Sequence, residues 1–420
     1  MAQRRRLCFE TTFTATRTPL DSVIGTEEEA VNWNHRVVKR LSPNSITRPW
    51  AALVGCLAIG LWSDATVRAE QGWQPKTTWV FAVGVLEWQK PESWPNMPNA
   101  KLNRRDVELV QYFRTAGVPD SQIVYLQDRE ATRAKIQQSL THLLSLSRPG
   151  DLLVFYYAGH GARDRKTHAV HFANYDATDG ASAWSVHSIV DDVEQGFRGE
   201  RAMLLADCCF SGGLADEVLN RKTHRVHYAY LCSAFSHNSS TRNWTFTESL
   251  LQGFRGHPAV DLDGNGEIEF AELGRFAELD MGFIERQKAV FGMTSDFQKP
   301  MTVSKSKGPH PPRLGDRIEV EWQGKWYRAQ VVDAAEHRFK VHYVKYADSW
   351  DEWIGPDRMR PFQPSHLSLD AQVEVRWPRD QKWYPSKIRR TWYGLHFVHY
   401  DGYPDEWDEW VASDAIRLKQ

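Results

Sequence analysis

Short apolar runs alternate with segments of helical period from residue 77 to about residue 305, and this alternation constrains the fold more than any other feature. Continuous runs such as TWVFAVGVLEW, DLLVFYYAGHG and RAMLLADCCFSGG are typical of strands buried on both faces. Between them, RRDVELVQYFRTAG is amphipathic and ends at Gly117, and ATRAKIQQSLTHLLSLS carries Ile136, Leu140, Leu143 and Leu144 on one helical face. Strands alternating with helices predict an α/β sandwich whose mostly parallel sheet is covered on both faces.

Two of the predicted strands end in reactive side chains. His160 follows the strand in FYYAGHG, and Cys209 follows the strand in LLADCCFSGG, 49 positions later. The carboxyl ends of strands in open α/β sheets meet at one edge, so both side chains are expected there. An imidazole can take the thiol proton and return it to a leaving amine, which predicts nucleophilic catalysis by Cys209. Gly161 is expected to let a substrate backbone approach, and the N–H groups of Gly161 and Cys209 are the candidate oxyanion hole.

The five cysteines of the chain include no C-x-x-C pair. That usage matches neither a zinc site nor a disulfide framework, and it favours thiol chemistry at a single position.

The motifs YAGHG and DCCFSGG resemble the histidine and cysteine motifs of caspase-like peptidases, and of metacaspases in particular. The family pattern D-x-C-x-S-G aligns with residues 207–212 so that Cys209, not Cys208, is the nucleophile, and the spacing is near the roughly 50 residues seen in caspases. The resemblance covers residues 76–305 and implies a caspase-like fold that hydrolyses a peptide or protein substrate.

The same resemblance implies cleavage after Arg or Lys. Its substrate pocket would have Asp207 at the bottom, together with Asp106 from the motif NRRD. Compensation of charge at a helix N-terminus is the alternative role for Asp106. A catalytically silent scaffold in an exported binding protein is the alternative for the whole domain.

An acidic loop, DLDGNGEIEFAE at residues 261–272, matches the ligand pattern of an EF-hand. The pattern assigns side-chain oxygens to Asp261, Asp263 and Asn265, a backbone carbonyl to Glu267, a contact through water to Glu269 and a bidentate carboxylate to Glu272. Similar acidic loops occur at this place in many bacterial caspase-like proteins. We expect a Ca²⁺ site that orders the catalytic domain without taking part in the chemistry; an acidic turn without metal is the alternative.

After a polar linker at residues 306–312 the chain repeats itself. IEVEWQGKWYRAQVV is followed later by VEVRWPRDQKWYPSKI, and VHYVKYADSWDEWI by FVHYDGYPDEWDEWV, with Trp326 and Trp383 57 positions apart. Strands of period 2 without any helix-length segment predict two small all-β, SH3-like barrels at residues 313–362 and 369–419.

Each repeat resembles a Tudor-type domain, in the group that includes agenet domains, where aromatic side chains form a cage for methylated Lys or Arg. The resemblance predicts binding of a basic or methylated peptide through cation–π attraction, with Asp348 and Asp405 adding negative charge. The predicted cage residues are Trp322, Tyr327, Tyr343 and Tyr346 in the first repeat and Trp377, Tyr384, Tyr400 and Tyr403 in the second. Packing in the barrel cores is the alternative. Residues 313–420 hold 17 basic and 18 acidic side chains, which does not favour nucleic acid as a partner.

The N-terminal region contains WAALVGCLAIGLW at residues 50–62, an apolar run too short for a stable transmembrane span. With Val67 and Ala69 after it, the run predicts a signal peptide at residues 48–69 that is cleaved after Ala69, and hence an exported protein. Residues 1–47 would then be a mis-assigned start or an unusual leader. The sequence LVGC would instead place a lipid on Cys56, and a buried helix would leave the protein in the cytoplasm.

Overall fold

The computed structural model describes residues 73–97, 104–241, 243–294, 297, 301–308, 314–335, 337–361, 367–378, 380–392 and 395–419. All of them lie in one compact unit, Val67–Gln420. The predicted leader, with Cys56 and Ala69, lies outside the described residues. Within the described ranges, no helix is both long and apolar enough to cross a bilayer.

Eleven strands and six helices make up the described part of residues 73–308. The strands are β1 (Thr78–Gly84), β2 (Ile123–Gln127), β3 (Leu152–Ala158), β4 (Gly161–Arg163), β5 (Val170–Phe172), β6 (Trp184–Ser185), β7 (Arg201–Asp207), β8 (His227–Cys232), β9 (Glu267–Glu269), β10 (Val290–Met293) and β11 (Thr302–Lys305). The helices are α1 (Arg105–Thr115), α2 (Arg133–Leu146), α3 (Val186–Gly196), α4 (Gly213–Leu219), α5 (Thr245–Phe254) and α6 (Phe270–Asp280), and α6 continues into a π-helical turn, Met281–Glu285.

Six of these strands form the central sheet, in the order β10-β8-β7-β3-β1-β2. All neighbours are parallel except the edge strand β10, which runs antiparallel to β8. One face packs against α1, α5 and α6, and the other against α2, α3 and α4. Because both faces are covered, every residue of β1 and β3 is buried, which is why their sequences are continuously apolar. The predicted α/β sandwich with a mostly parallel sheet is confirmed.

The apolar run that begins at β1 is longer than the strand. The sequence predicted one strand through Trp88, whereas pairing with the neighbouring strands stops at Gly84. Val85, Leu86 and Trp88 stay buried in the following loop, where Trp88 contacts the ring of His160. An apolar run therefore predicts burial here, and only the sheet register decides where the strand ends.

The two repeats form matching five-stranded antiparallel sheets. The first contains β12 (Arg317–Trp322), β13 (Lys325–Ala335), β14 (Arg338–Tyr343), β15 (Glu352–Ile354) and β16 (Met359–Pro361), and the second contains β17 (Gln372–Arg376), β18 (Trp383–Trp392), β19 (Leu395–Tyr400), β20 (Glu409–Ala412) and β21 (Ile416–Leu418). Their strand orders are β15-β14-β13-β12-β16 and β20-β19-β18-β17-β21. The register shifts at Val331/Asp333 in one and at Ile388/Arg390 in the other, which are equivalent positions. Each sheet encloses its own apolar core, as expected of two small barrels.

Both barrels rest on the end of α6 and on the π-helical turn that follows it. Arg317 of the first barrel forms a buried ion pair with Asp280 at 2.6 Å. Trp410 of the second barrel packs with Leu279 and Phe283 in a separate apolar cluster. The segment 279–286 is therefore the base on which the C-terminal half of the chain docks.

Candidate active site

The two predicted catalytic residues extend from neighbouring strand ends. In the β3–β7 pair, Ala158 is opposite Asp207, and His160 and Cys209 each follow two positions later. A Cβ built on Gly161 would lie 1.8 Å from the carbonyl oxygen of Cys209. Glycine is therefore required because the Cys209 backbone passes against it, a different reason from the expected approach of a substrate.

A backbone carbonyl orients the imidazole of His160. The Nε2 atom lies 2.7 Å from the carbonyl oxygen of Pro95. Because a carbonyl only accepts, Nε2 carries the hydrogen, and Nδ1 is left as the basic nitrogen when the ring is neutral. The ring packs 4.4 Å from that of Trp88, and the Tyr157 hydroxyl donates to the His160 carbonyl at 2.9 Å. The sequence offered no signal for Pro95, since its contribution is a main-chain atom.

The two adjacent cysteines have different environments. Cys208 is buried, and burial raises the pKa of its thiol well above the usual value. Cys209 is half-buried, and the backbone N–H of Ser240 donates to its sulfur at 3.2 Å. Donation of a hydrogen bond favours the thiolate, whereas burial without charge compensation disfavours it. The geometry thus favours the same cysteine as the motif alignment.

The turn after Cys209 is strained. Phe210 has a φ of 59°, in the left-handed region that bulky residues rarely adopt. Its N–H donates to the Asn238 carbonyl at 2.8 Å, which ties the turn to the loop that also carries Ser240. Such strain is often found at functional sites, where the surrounding structure maintains it.

The two acids expected in the substrate pocket have different surroundings. Asp207 is 9% exposed and accepts a hydrogen bond from the Thr247 hydroxyl at 2.7 Å. Burial raises the pKa of Asp207 to about 7, against the smaller opposing effect of its hydrogen bonds. This carboxyl group lies directly before the Cys208–Cys209 pair and is the acid nearest to them in the chain.

Asp106 is fully buried and already paired within the chain. Its carboxylate binds Arg104 at 2.6 Å and accepts a hydrogen bond from the Tyr125 hydroxyl at 2.7 Å. Arg104 also binds Asp128 at 2.6 Å. We therefore correct the prediction for Asp106: its charge neutralises an arginine of the same chain, because the turn before α1 folds Arg104 back onto it.

The acidic loop at residues 261–272 brings three carboxylates together. Ligand atoms of Asp261, Asp263 and Glu272 all lie within 4.8 Å of one another. One oxygen of Asp261 accepts the Gly266 N–H at 3.0 Å, while its other oxygen is buried and accepts no hydrogen bond from any residue that the structure describes. Burial, and then the charge of Asp263, raise the pKa of Glu272 to about 7. The donor set fits a hard cation that takes oxygen ligands.

The other predicted ligands of this loop lie around the three carboxylates. Asn265 donates from its amide to Asp263 at 3.0 Å and accepts the Glu267 N–H at 2.7 Å. Glu269 precedes α6, and the side chains of Glu269 and Glu272 form a capping box with the backbone at the start of that helix. The loop is therefore joined directly to α6.

In the first barrel, four aromatic rings form a closed circuit. Trp322 neighbours Tyr327, Tyr327 neighbours Tyr346, Tyr346 neighbours Trp350, and Trp350 neighbours Trp322, with centroids 5.8–6.1 Å apart. Neighbouring planes are steeply inclined, at 66–89°. Trp350, which is 50% exposed, was missing from the predicted cage, although its recurrence as Trp407 was visible in the repeat.

Tyr343 was predicted as a cage wall but lies below it. Its ring is buried in the barrel core, and its hydroxyl donates to Glu352 at 2.7 Å. Tyr400 of the second barrel is buried in the same way and donates to Glu409 at 2.6 Å. Both tyrosines are core residues that support the rings above them, so the packing alternative holds for these two positions.

The second barrel repeats this cluster and adds a contact. Trp377, Tyr384, Tyr403 and Trp407 surround Tyr400. Trp407 also packs against Phe235 and His237 of the loop after β8, with centroids 5.2 and 5.1 Å apart.

A histidine anchors the turn that carries each tryptophan. His342 pairs with Asp351 at 2.8 Å, and His399 pairs with Asp408 at 2.8 Å. Asp348 and Asp405, the predicted acids, are exposed on the same turns.

Comparisons with known proteins found one family model and several solved structures that are similar to parts of this chain. The model of the metacaspase, peptidase C14 domain matches residues 108–218, which include both strand ends described above. Caspase-1 from Spodoptera frugiperda is 12% identical with a TM-score of 0.34, covering 56% of this chain and 93% of that one. The tandem agenet domain 3-4 of ADCP1 is 17% identical with a TM-score of 0.12, covering 25% of this chain and 78% of that one.

A short likeness to a curated protein was also found. The chromatin modification-related protein EAF3 of Eremothecium gossypii is 45% identical over 38 residues. The match spans 9% of this chain and 12% of that protein's own length.

Residues 108–218 thus match the metacaspase, peptidase C14 domain, and this stretch lies within the parallel α/β sandwich whose paired strand ends precede His160 and Cys209; two small β-barrels follow the sandwich.

Proposed function

We propose that this chain is a cysteine endopeptidase in which Cys209 is the nucleophile and His160 the general base and acid. The observation that carries the proposal is that His160 and Cys209 each follow the end of one of two paired strands, with Ser240 donating to the sulfur and Pro95 orienting the imidazole. Each contact supports the form of the group that the reaction needs.

The chemistry follows from these contacts. His160 Nδ1 takes the thiol proton of Cys209, and the sulfur attacks the carbonyl carbon of the scissile bond. The N–H groups of Gly161 and Cys209 are the candidate donors to the oxyanion. The imidazolium then protonates the leaving amine, which departs and leaves a thioester on Cys209. A water molecule, deprotonated by His160, hydrolyses that thioester and restores the thiol.

We propose cleavage after Arg or Lys, with Asp207 in the pocket that binds the basic side chain. A carboxylate beside the nucleophile can pair with an ammonium group or bidentately with a guanidinium. Because the pKa of Asp207 is raised to about 7, its ionised form is stabilised by an incoming cation and is costly without one.

Fluorogenic peptides that differ only in the residue before the scissile bond test this function. Arg and Lys peptides should be cleaved and Asp peptides should not. Cys209→Ala should abolish turnover, while Cys208→Ala, its adjacent control, should keep most of it. Preference for Asp would refute the specificity, and equal loss in both variants would refute the assigned nucleophile. A stoichiometric thiol label on Cys209 excludes the silent-scaffold alternative.

We propose that residues 261–272 bind Ca²⁺ and that the ion stabilises the catalytic domain. Asp261, Asp263, Asn265 and Glu272 would provide side-chain oxygens, with Glu267 and Glu269 completing the set. The buried oxygen of Asp261 without a hydrogen-bond donor among the described residues, and the three crowded carboxylates, support the proposal. The ion would neutralise repulsion at the start of α6, which packs on the sheet that carries Cys209.

We further propose that the barrels recruit a basic or methylated peptide and that the protein is exported. The four-ring circuit of the first barrel supports the peptide proposal, because electron-rich faces attract a diffuse cation. The export proposal rests on the sequence at residues 48–69 alone.

A further inference from the structure

A second buried acid lies close to Asp207. Glu285, in the π-helical turn after α6, is 8% exposed, and its charge adds a smaller effect to the burial that raises the pKa of Asp207. Both carboxylates accept hydrogen bonds from the first turn of α5: Thr245 donates to Glu285 at 2.7 Å, and Thr247 donates to Asp207 at 2.7 Å. The amide of Asn243 also donates to Glu285, at 2.9 Å. Each acid thus accepts a hydrogen bond from a different threonine at the start of α5.

The segment that carries Glu285 also contacts the loop beside Cys209. Gln287, two residues after Glu285, donates to the Ser240 hydroxyl at 3.1 Å and accepts the Thr241 N–H at 2.9 Å. Ser240 is the residue whose N–H donates to Cys209 at 3.2 Å. The segment that carries Glu285 is thus connected, through Gln287, to the loop that touches the Cys209 sulfur.

A cation of this chain already approaches the site. Lys345, at the turn after β14 of the first barrel, places its ammonium nitrogen 3.8 Å from the Glu285 carboxylate. The Glu285 side chain is almost fully buried, whereas the Lys345 side chain is 59% exposed, so the lysine reaches inward from the rim. Among the described residues, it is the one cation within ion-pair distance of Glu285.

The backbone at Lys345 is strained, and the second barrel lacks that strain. Lys345 has a φ of 71°, and the equivalent residue of the second repeat is Gly402, with a φ of 83°. Glycine adopts this conformation freely, whereas the Cβ atom of a lysine makes it unfavourable. A strained residue at a position where the sister repeat has glycine points to a role for the side chain.

We propose that Glu285 completes, with Asp207, the pocket that selects a basic side chain before the scissile bond, and that Lys345 of the first barrel occupies this pocket as an internal competitor. The inference rests on the proposed cleavage after Arg or Lys. Both barrels dock on segment 279–286, and Lys345 of the first barrel lies beside Glu285 in this docked arrangement.

The test uses the full chain and three peptides that carry Arg, Lys or Gln before the scissile bond. Glu285→Gln keeps the hydrogen-bond acceptor but removes the charge, and should lower kcat/KM for the Arg and Lys peptides about 10- to 100-fold. Turnover of the Gln peptide and the rate of Cys209 alkylation by iodoacetamide should change less than about threefold, since neither uses the charge.

Lys345→Gly installs the residue of the second repeat and removes the competitor. We expect KM for the Lys peptide to fall about 2- to 10-fold with kcat unchanged, because the ion pair is partly exposed and weak. Lys325→Ala, which removes another exposed lysine of the same barrel, should change nothing. An unchanged KM in Lys345→Gly would overturn the competitor, even where Glu285→Gln does not fold.

The outcomes distinguish a failure of the proposed Arg/Lys specificity from a failure of the role assigned to Glu285. Wild-type protein without preference for Arg and Lys over Gln refutes the proposed specificity itself. Wild-type preference that survives in Glu285→Gln leaves the proposed function standing and refutes the role of Glu285.

Discussion

Replacing Asp207 by asparagine should stabilise the fold at neutral pH while weakening recognition of basic substrates. The pKa of Asp207 is raised from 3.8 to about 7, first of all because the carboxyl group is buried. The protonated acid is therefore favoured in the folded chain, and its stabilising effect is complete below pH 3.8 and lost as pH rises to 7. A shift of about 3 pH units corresponds to about 4 kcal/mol at pH 7 and above.

Asparagine carries no charge at any pH and can still accept the Thr247 hydroxyl. The stability gained by Asp207→Asn should thus be near zero at pH 4 and grow by up to about 1.4 kcal/mol per pH unit, reaching about 4 kcal/mol near pH 7. Glu272 and Glu409 also have pKa values raised to about 7 by burial. These two acids add the same pH dependence of stability to the variant and to the parent. The difference in unfolding free energy between variant and parent therefore reports on Asp207.

Urea denaturation between pH 4 and 8 measures this difference. Both proteins should carry Cys209→Ala to prevent self-cleavage, with a chelator present so that the acidic loop stays in one state. Glu409→Gln in the second barrel is the matched control, since it should gain stability over the same pH range without changing selectivity for Arg. A stability difference for Asp207→Asn that does not vary with pH would refute the argument that its buried charge is costly.

Three further predictions concern the metal, the cage and the leader. With a dissociation constant of about 0.1–1 mM, 10 mM Ca²⁺ should stabilise the chain by about 1.4–2.7 kcal/mol relative to chelator. The melting temperature of the double variant Asp261→Asn, Glu272→Gln should not respond to Ca²⁺. A wild-type melting temperature that does not change with Ca²⁺ would contradict the site. Trp350→Ala should weaken binding of a trimethyl-lysine peptide at least tenfold in fluorescence anisotropy, whereas Trp353→Ala, outside the ring circuit, should not; equal effects would return the rings to a packing role. N-terminal sequencing should find a mature chain that begins after Ala69, and an intact N-terminus would refute export.

Much of the catalytic region was predictable because its signals are local. The order of strands and helices follows from continuous apolar runs and helical periodicity, which report burial on two faces or one. The motif around Cys209 also distinguished it from Cys208, in agreement with the half-buried thiol of Cys209 and the buried thiol of Cys208. Repeats spaced by 57 residues predicted two similar barrels, and the structure has two matching sheets.

The errors occurred where side-chain roles depend on residues distant in sequence. Asp106 was assigned to a pocket on motif position alone, and the fold instead pairs it with Arg104. Tyr343 matched the pattern of a cage residue, yet strand alternation turns it into the core while Trp350 completes the ring circuit.

By itself, the sequence determined the α/β sandwich, the reactive histidine and cysteine, the acidic loop and the tandem barrels, because each is written in contiguous residues with a period or motif. Only the tertiary structure decided that Asp207 and Glu285 lie near the Cys209 loop and that Lys345 of the first barrel contacts Glu285. Glu285 lies 78 positions after Asp207, and Lys345 another 60 after that. Lys345 approaches Glu285 in the docked arrangement that also contains the buried pair of Asp280 and Arg317 between α6 and the first barrel, and no local pattern encodes these contacts.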